Sequence, residues 1–248
     1  MTGASNLFYP EPRFLQAGDR ALTVEIANAI DPGVSDRVAA IDQAIAGAEI
    51  DGIVETIPTY RSVQVVYDPS RIRARALVAR LRQVIPSEAA GAAERRRWLF
   101  PVCYGGDHGM DLEVVAEAHG ITTEEVVALH SGAEYRVYMI GFAPGFSYLG
   151  GLPEGLYTPR RENPRTLTPA SSVSIGGVQA AISSIPVPSG WHMLGRTPAR
   201  AFDPRREQPF LLRTGDHVRF QPIDADEFAR LDASAEAGEL IADSEPIP

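Results

Sequence analysis

Five histidines, one cysteine and a set of 23 basic side chains are the groups in this sequence best suited to chemistry, so the first question is which of them can act together. His108, His119 and His130 recur every eleven residues, but Gly120 interrupts any helix that would align them, and no H-E-x-x-H or C-x-x-C pattern accompanies them. No metal site is expected. Cys103 ends an apolar run before Gly105 and Gly106, a setting for a small buried hydrophobe rather than a thiolate nucleophile. Ser147 lies in GFSYLG, one residue longer than the nucleophile elbow and preceded by a Pro-containing loop instead of a strand, which argues against a serine nucleophile there.

The basic residues are more informative, because all 23 are arginine and the chain has no lysine. Schiff-base enzymes, Walker P-loops, Ser-x-x-Lys acyltransferases and protein kinases each need a lysine ammonium, and all four are excluded. Side chains that grip an anion here must be guanidinium forks or neutral donors, helped by backbone N–H groups. Residues 138–151, YMIGFAPGFSYLGG, interleave glycines with Phe142, Phe146 and Tyr148. Such a loop can press aromatic faces on a partner and leave backbone N–H groups bare; the alternative is that the rings plug one end of a barrel. The segment PRRENPRTLTPASSVSIGG sets Arg160, Arg161 and Arg165 among prolines, a plausible clamp for carboxylate or phosphate. For Arg160 and Arg161 a solvated surface position is an equal alternative. PSGWHMLGRTP places Trp191, His192 and Arg196 around glycines where the chain turns between strands, and of the charged groups Arg196 and His192 are the first choices to reach a barrel-mouth pocket.

The elements that must carry these residues form two groups. The 248-residue length fits one or two domains, and two is preferred. RFLQAG and ALTVEIA read as a hairpin about Gly18-Asp19; Asp31-Pro32 opens a helix with Val34, Val38, Ile41 and Ile45 at helical spacing. DGIVETIP and YRSVQVVYD form a second strand pair, and Ser70 can cap a second helix that ends before Pro86. The result is an α+β domain, an antiparallel sheet with two helices, over 1–92 including a linker at about 87–97. From 93 to 230, a strand at WLFPVCY, two short helices with a Thr122/Glu125 capping box, a strong strand at EYRVYMIGF and many short runs (SVSIGG, VQAAISSI, WHMLGR, ARAF, FLLRTG, DHVRFQPI) predict a closed or nearly closed β-barrel. DADEFARL can add a helical turn, and 231–248 reads as a mobile acidic tail. A net charge of −9 argues against a nucleic-acid-binding face, no apolar run reaches membrane-spanning length, and with neither a signal peptide nor a cysteine pair the expected compartment is the cytoplasm.

Taken in order across roughly residues 11 to 228, PRFLQAGDRALTVEIANAIDP, IPTYRSVQVVYDP, DLEVVAEAHGITTEEVVALHSGAEYRVYMIGFAPGFSYLGGLP, TPRRENPRTLTPASSVSIGG, GWHMLGRTPARAFDP and LLRTGDHVRFQPID resemble the allophanate hydrolase subunit 1 family (carboxyltransferase domain, subdomains C and D). That family includes the B subunit of bacterial ATP-dependent 5-oxoprolinase and the Kip-type histidine kinase inhibitors. The resemblance implies a cyclophilin-like barrel, a sister subunit of the allophanate hydrolase subunit 2 type (the C subunit in 5-oxoprolinase), and opening of a small lactam, 5-oxoproline, to glutamate with ATP and Mg²⁺. The resemblance leaves ATP to be bound by this subunit, by the sister subunit, or shared between them. On this reading Arg196, His192 and Arg165 act on anionic groups, while Phe142, Pro144, Gly145, Phe146, Tyr148, Gln179 and Trp191 line the substrate pocket. A Kip-type protein that docks on a sensor histidine kinase is the alternative, and a peptidyl-prolyl isomerase is a third reading that rests on the barrel alone. One departure stands out. Where the family has Gln-Thr-Gly-Ile-Tyr-Pro and then Ser-Pro-Gly-Gly-Trp, this chain reads QAAISSIPVPSGW: Gln179, Ile182, Pro188, Gly190 and Trp191 match, and Ala180, Ala181, Ser183, Ser184, Val187 and Ser189 do not.

Overall fold

A computed structural model describes residues 7–86 and 95–247. The chain divides into two compact units, Met1–Ala93 and Glu94–Pro248. Most of the expected linker falls outside the described residues, and its last part, from Arg95, is already strand.

In the first unit, alternation of apolar and polar residues makes strands β1 (Phe8–Ala17), β2 (Ala21–Ala27), β3 (Ile53–Pro58) and β4 (Ser62–Tyr67), arranged antiparallel in the order β1-β2-β4-β3. Helices α1 (Pro32–Gly47) and α2 (Ala74–Val84) supply the rest of the core. Period-two side chains Leu22, Val24, Ile26, Val63 and Val65 meet Val34, Val38, Ile41 and Ile45 of α1 and Leu77 and Leu81 of α2. Each large aliphatic group buried this way stabilises the unit by about 1.5–3 kcal/mol. Asp31 starts α1 as the sequence predicts, its carboxylate accepting from the Gly33 N–H at 2.8 Å with Pro32 in the first turn. Ser70 does not cap α2. Its N–H and hydroxyl both donate to Asp68 Oδ1, at 2.9 and 2.7 Å, making a turn, and the helix begins after Arg73 with no side-chain cap.

The second unit contains β5 (Arg95–Tyr104), α3 (Leu112–His119), α4 (Thr123–Gly132), β6 (Tyr135–Ile140), β7 (Ser147–Gly150), β8 (Arg165–Thr168), β9 (Ser172–Gly176), β10 (Gln179–Ser183), β11 (Val187–Ser189), β12 (His192–Arg196), β13 (His217–Ile223), α5 (Ala225–Glu236) and β14 (Asp243–Ile247). Its sheet order is β12-β9-β10-β7-β6-β13-β5-β14, and a further β12–β5 pairing closes the first seven strands into a barrel. The long β5 makes closure possible by changing partner along its length: Arg95 to Leu99 pair with β14, while Cys103 and Tyr104 pair with Arg196 and Gly195 of β12. A Cβ at Gly195 would stand 2.6 Å from the Cys103 carbonyl oxygen, so the seam requires a glycine there. Phe100, Val102, Tyr135, Val137, Leu149, Ile175, Ile182 and Leu194 are wholly buried in the core, so the barrel is filled and chemistry is left to its ends and outer loops.

Two expectations are corrected here. ARAF and FLLRTG are not strands; a single bridge between Phe202 and Phe210 joins them, with Pro204 and Pro209 interrupting the intervening chain. The acidic C-terminal stretch is not a loose tail. Asp224 caps a twelve-residue α5 by accepting from Glu227 N–H, and β14 then pairs with β5, so the residues from 225 to 247 complete the unit.

Candidate functional site

The loop between β6 and β7 turns within six residues. The Gly141 N–H donates to the Phe146 carbonyl and the Phe146 N–H to the Ala143 carbonyl, both at 3.0 Å. That turn forces Phe142 to φ +71°, a left-handed conformation uncommon for a non-glycine residue, and leaves its ring 66% exposed. Gly145 sits at φ +69°, and a Cβ on it would meet Phe202 Cβ at 2.5 Å and Ser184 Oγ at 2.6 Å. The Ser184 hydroxyl donates to the Gly145 carbonyl at 2.9 Å and holds the turn against the end of β10. So fixed, the loop builds an aromatic ledge: Phe142 is edge-on to Phe146 at 5.5 Å, Phe146 lies 4.7 Å from Tyr148, and Tyr148 lies 6.0 Å from Trp191. Phe146 and Trp191 are buried and form the base, Tyr148 is half-buried, and Phe142 stands out. Trp191 fits because Gly176 beside it carries no side chain; a Cβ there would be 2.7 Å from the indole.

Arg160 crosses this ledge, its guanidinium carbon 5.3 Å from the Trp191 ring centroid. No carboxylate pairs with it among the described residues. Burial raises the pKa of the neighbouring Tyr148 phenol, and the Arg160 charge pulls it partly back. The loop that carries Arg160 is anchored by a residue that sequence reasoning missed. Asp111, with 1% of its side chain exposed, accepts from Arg165 through both oxygens at 2.7 and 2.8 Å, from Arg161 at 2.9 Å and from the Met193 N–H at 2.8 Å. Burial alone would raise the Asp111 pKa, but the Arg165 and Met193 hydrogen bonds and the charges of Arg165 and Arg161 outweigh it and hold the carboxyl ionised. The only sequence signal for Asp111 is its place before α3, where it reads as a helix start; in the structure its side chain makes no cap.

The other candidates divide. Pro144 is exposed on the ledge loop. Gln179 begins β10 opposite Gly176 and so lies at the same end as Trp191. His192 is buried, and its Nε2 bonds to the Pro159 carbonyl at 2.9 Å, a second tie on the Arg160 loop. Arg165 is taken up by Asp111. Arg196 stands at the far end of β12, about 16 Å along an extended chain from Trp191. There its Nε donates to the Ala170 carbonyl at 3.1 Å and its guanidinium stacks on Phe228 of α5 at 5.4 Å. Ser147 is buried with its hydroxyl donating to the Gly145 carbonyl at 3.3 Å. The departure from the family pattern falls beneath the ledge: Ala180 packs into the barrel core, while Ala181, paired with Tyr148, packs with Phe146, Val187 and Trp191.

A closed seven-strand barrel follows an antiparallel α+β unit in the chain. The chain belongs to the family described as carboxyltransferase domain, subdomain C and D, which matches residues 12–212. It is 40% identical over 205 residues to the B subunit of 5-oxoprolinase from Escherichia coli O157:H7, covering 83% of this chain and 93% of that protein. To the B subunit of 5-oxoprolinase from Bacillus subtilis it is 36% identical over 224 residues, covering 86% and 93%. Among solved structures, TTHA0988 matches with a TM-score of 0.74 at 36% identity over 83% of this chain, which spans 40% of that longer one. The urea amidolyase of K. lactis shares the fold, with a TM-score of 0.79 at 21% identity over 97% of this chain and 17% of its own. No helix among the described residues is long and apolar enough to cross a membrane.

Proposed function

We propose that this chain is the B subunit of a two-component, ATP-dependent 5-oxoprolinase-type amidohydrolase, and that the Arg160–Trp191 ledge binds the carboxylate of 5-oxoproline. Family membership and the names of the two relatives support the reaction class. The single observation that carries the ledge is Arg160: a guanidinium with no carboxylate partner among the described residues, stacked on a buried indole and held there by a loop tied to Asp111 and His192. A charge-assisted hydrogen bond from such a group to a ligand carboxylate is worth about 1.5–3 kcal/mol. The faces of Tyr148 and Phe142 offer the flat lactam ring an apolar wall.

The overall reaction takes 5-oxoproline, ATP and water to glutamate, ADP and phosphate. Phosphorylation of the amide oxygen would make the carbonyl carbon electrophilic: one water adds, the C–N bond breaks as the nitrogen takes a proton, and a second water releases phosphate from the resulting acyl phosphate. The arginines of this site do not fit a triphosphate with its Mg²⁺: Arg161 and Arg165 are both turned onto Asp111, which holds their N–H groups and cancels one of their two charges, Arg196 is at the other barrel end, and Arg160 alone is free of a carboxylate among the described residues. We therefore assign nucleotide binding to the sister subunit. In the assembled enzyme, 5-oxoproline-dependent ADP release measures the activity, and its absence with the sister chain present would overturn the proposal. Arg160→Ala is expected to raise KM for 5-oxoproline about tenfold to a hundredfold. Turnover of 2-pyrrolidinone, which lacks the carboxylate, should not change; an equal effect on both lactams would remove Arg160 from the carboxylate site.

A further inference from the structure

A second cleft, 550 Å³ in volume, shares no residue with the ledge. It lies in the barrel unit where β5 and β14 meet the loop that leads from β12 to β13. Three arginines line it, Arg96, Arg206 and Arg213, and among the described residues no carboxylate pairs with any of their guanidinium groups. Two carboxylates line it as well, Glu207 and Asp216. Asp216 is buried, and its oxygens accept from the Arg96 N–H at 3.0 Å, the Trp98 indole N–H at 3.1 Å and the Arg213 N–H at 3.0 Å. One carboxylate therefore fixes the backbone that carries two of the arginines and leaves their side chains unclaimed.

Contacts with other lining residues locate those two guanidinium groups at the cleft. Arg96 Nε donates to the Ser244 hydroxyl at 3.0 Å, and its guanidinium carbon lies 5.8 Å from the Trp98 ring centroid. Arg213 Nη2 donates to Gln208 Oε1 at 3.2 Å. Arg206 is turned inward: it donates to the Arg200 carbonyl, and its Nη1 is buried with no partner among the described residues. Burial lowers its pKa, and the nearby Asp203 charge only partly offsets this. Arg206 thus brings uncompensated positive charge to the cleft rather than free donors. Phe210 and Leu240, 47% and 60% exposed, supply an apolar wall beside the arginines.

Charge and surface together set the ligand class. Three guanidiniums against two carboxylates leave one net positive charge, which a monoanion balances and a polyanion such as a triphosphate overshoots. A cation is repelled, and an uncharged ligand leaves the charge standing. A carboxylate matches the planar guanidinium fork, and an aromatic body matches the exposed Phe210 ring and the flat faces of the arginines. We infer that this cleft binds a small aromatic monocarboxylate, its carboxylate accepting from Arg96 and Arg213 and its ring lying on Phe210 and Leu240. 5-Oxoproline has the charge without the aromatic body, so the site is separate from the proposed lactam reaction and does not depend on it.

Titration of the full 248-residue chain followed by ¹⁵N-detected NMR tests it, with phenylacetate as the probe and acetate, phenylacetamide, phenyl phosphate and 5-oxoproline as controls. Phenylacetate is expected to give saturable shifts of the Trp98 indole N–H and the Arg213 backbone N–H. Acetate, phenylacetamide and 5-oxoproline should bind there at least about tenfold more weakly, and phenyl phosphate no more tightly. Arg213→Gln and Phe210→Ala, both at exposed positions, should each weaken phenylacetate about tenfold. No saturable shift, shifts at the Trp191 indole in place of Trp98, tighter binding of phenyl phosphate, or unchanged affinity in Arg213→Gln would overturn the inference. Should either variant fail to fold, the parent chain decides: a tenfold preference for phenylacetate over both phenylacetamide and acetate supports the assignment, and equal affinity for either control overturns it.

Discussion

Asp111 receives four hydrogen bonds from two arginines and one backbone N–H while almost wholly buried, and it joins the Arg161–Arg165 loop to β12. Removing one member of a buried ion cluster costs more than the cluster contributes, because the partners are left charged without compensation. Asp111→Ala is expected to destabilise the barrel unit by on the order of 3 kcal/mol, read from the denaturant midpoint at constant m-value. Arg160→Ala, which removes one exposed stacking contact, should cost about 0.5–1 kcal/mol. Equal losses in the two variants would show that Asp111 is not the anchor. The sequence makes the arginines visible as a Pro-spaced group, but which of them is spent on structure and which is left for a ligand depends on a carboxylate some fifty residues earlier in the chain. Local spacing carries no information about that pairing.

At the scale of elements, the site depends on turns more than on strands. Thr122 and Glu125 cap α4 reciprocally, at 3.2 and 2.7 Å, and α4 carries Val126 and His130 into the barrel unit's core. Thr122→Ala should cost about 1 kcal/mol of stability, measured by urea unfolding. Gly145→Ala is a harsher change. It meets Phe202 and Ser184 at a left-handed φ, so the β6–β7 turn must move and take Phe142 and Phe146 with it. A stability loss above about 1 kcal/mol, together with a changed Trp191 emission, is the expected result; unchanged fluorescence would detach the turn from the ledge. The hairpin, the Asp31 start of α1 and the α4 cap are legible because each is written within a few residues. Ser70 misleads for the same reason: Asp68, two residues away, competes for it.

For the whole molecule, the barrel unit is also tied across strands by Glu134, which accepts from Arg97 at 2.8 Å on β5 and from His217 at 2.6 Å and Arg219 at 2.7 Å on β13. Burial would raise the Glu134 pKa, but hydrogen bonds from His217, Arg97 and Arg219 outweigh it and bring it from 4.5 to about 2. Because the folded value lies below the unfolded one, the stabilisation is complete above pH 4.5 and is lost as pH falls toward 2. The stability gap between the parent and Glu134→Gln should therefore be constant near neutrality and shrink through that window. A gap that persists unchanged to pH 2 would show that the carboxylate charge is not what matters.

The sequence by itself determined the two units, the Asp31 start of α1, the capping box of α4 and the family, because amphipathic period, caps and long ordered motifs are local or linear properties of the chain. It also determined that any anion grip by a cationic side chain is guanidinium, since no lysine is present. Only the tertiary structure decided which residues meet. Barrel closure through β5 and β12 places Trp191 with Tyr148 and Arg160, sends Arg196 to the other end, and orders the C-terminal stretch as a helix and an added strand. Strand register and long-range pairing set those neighbours, and neither is encoded within the reach of a local window.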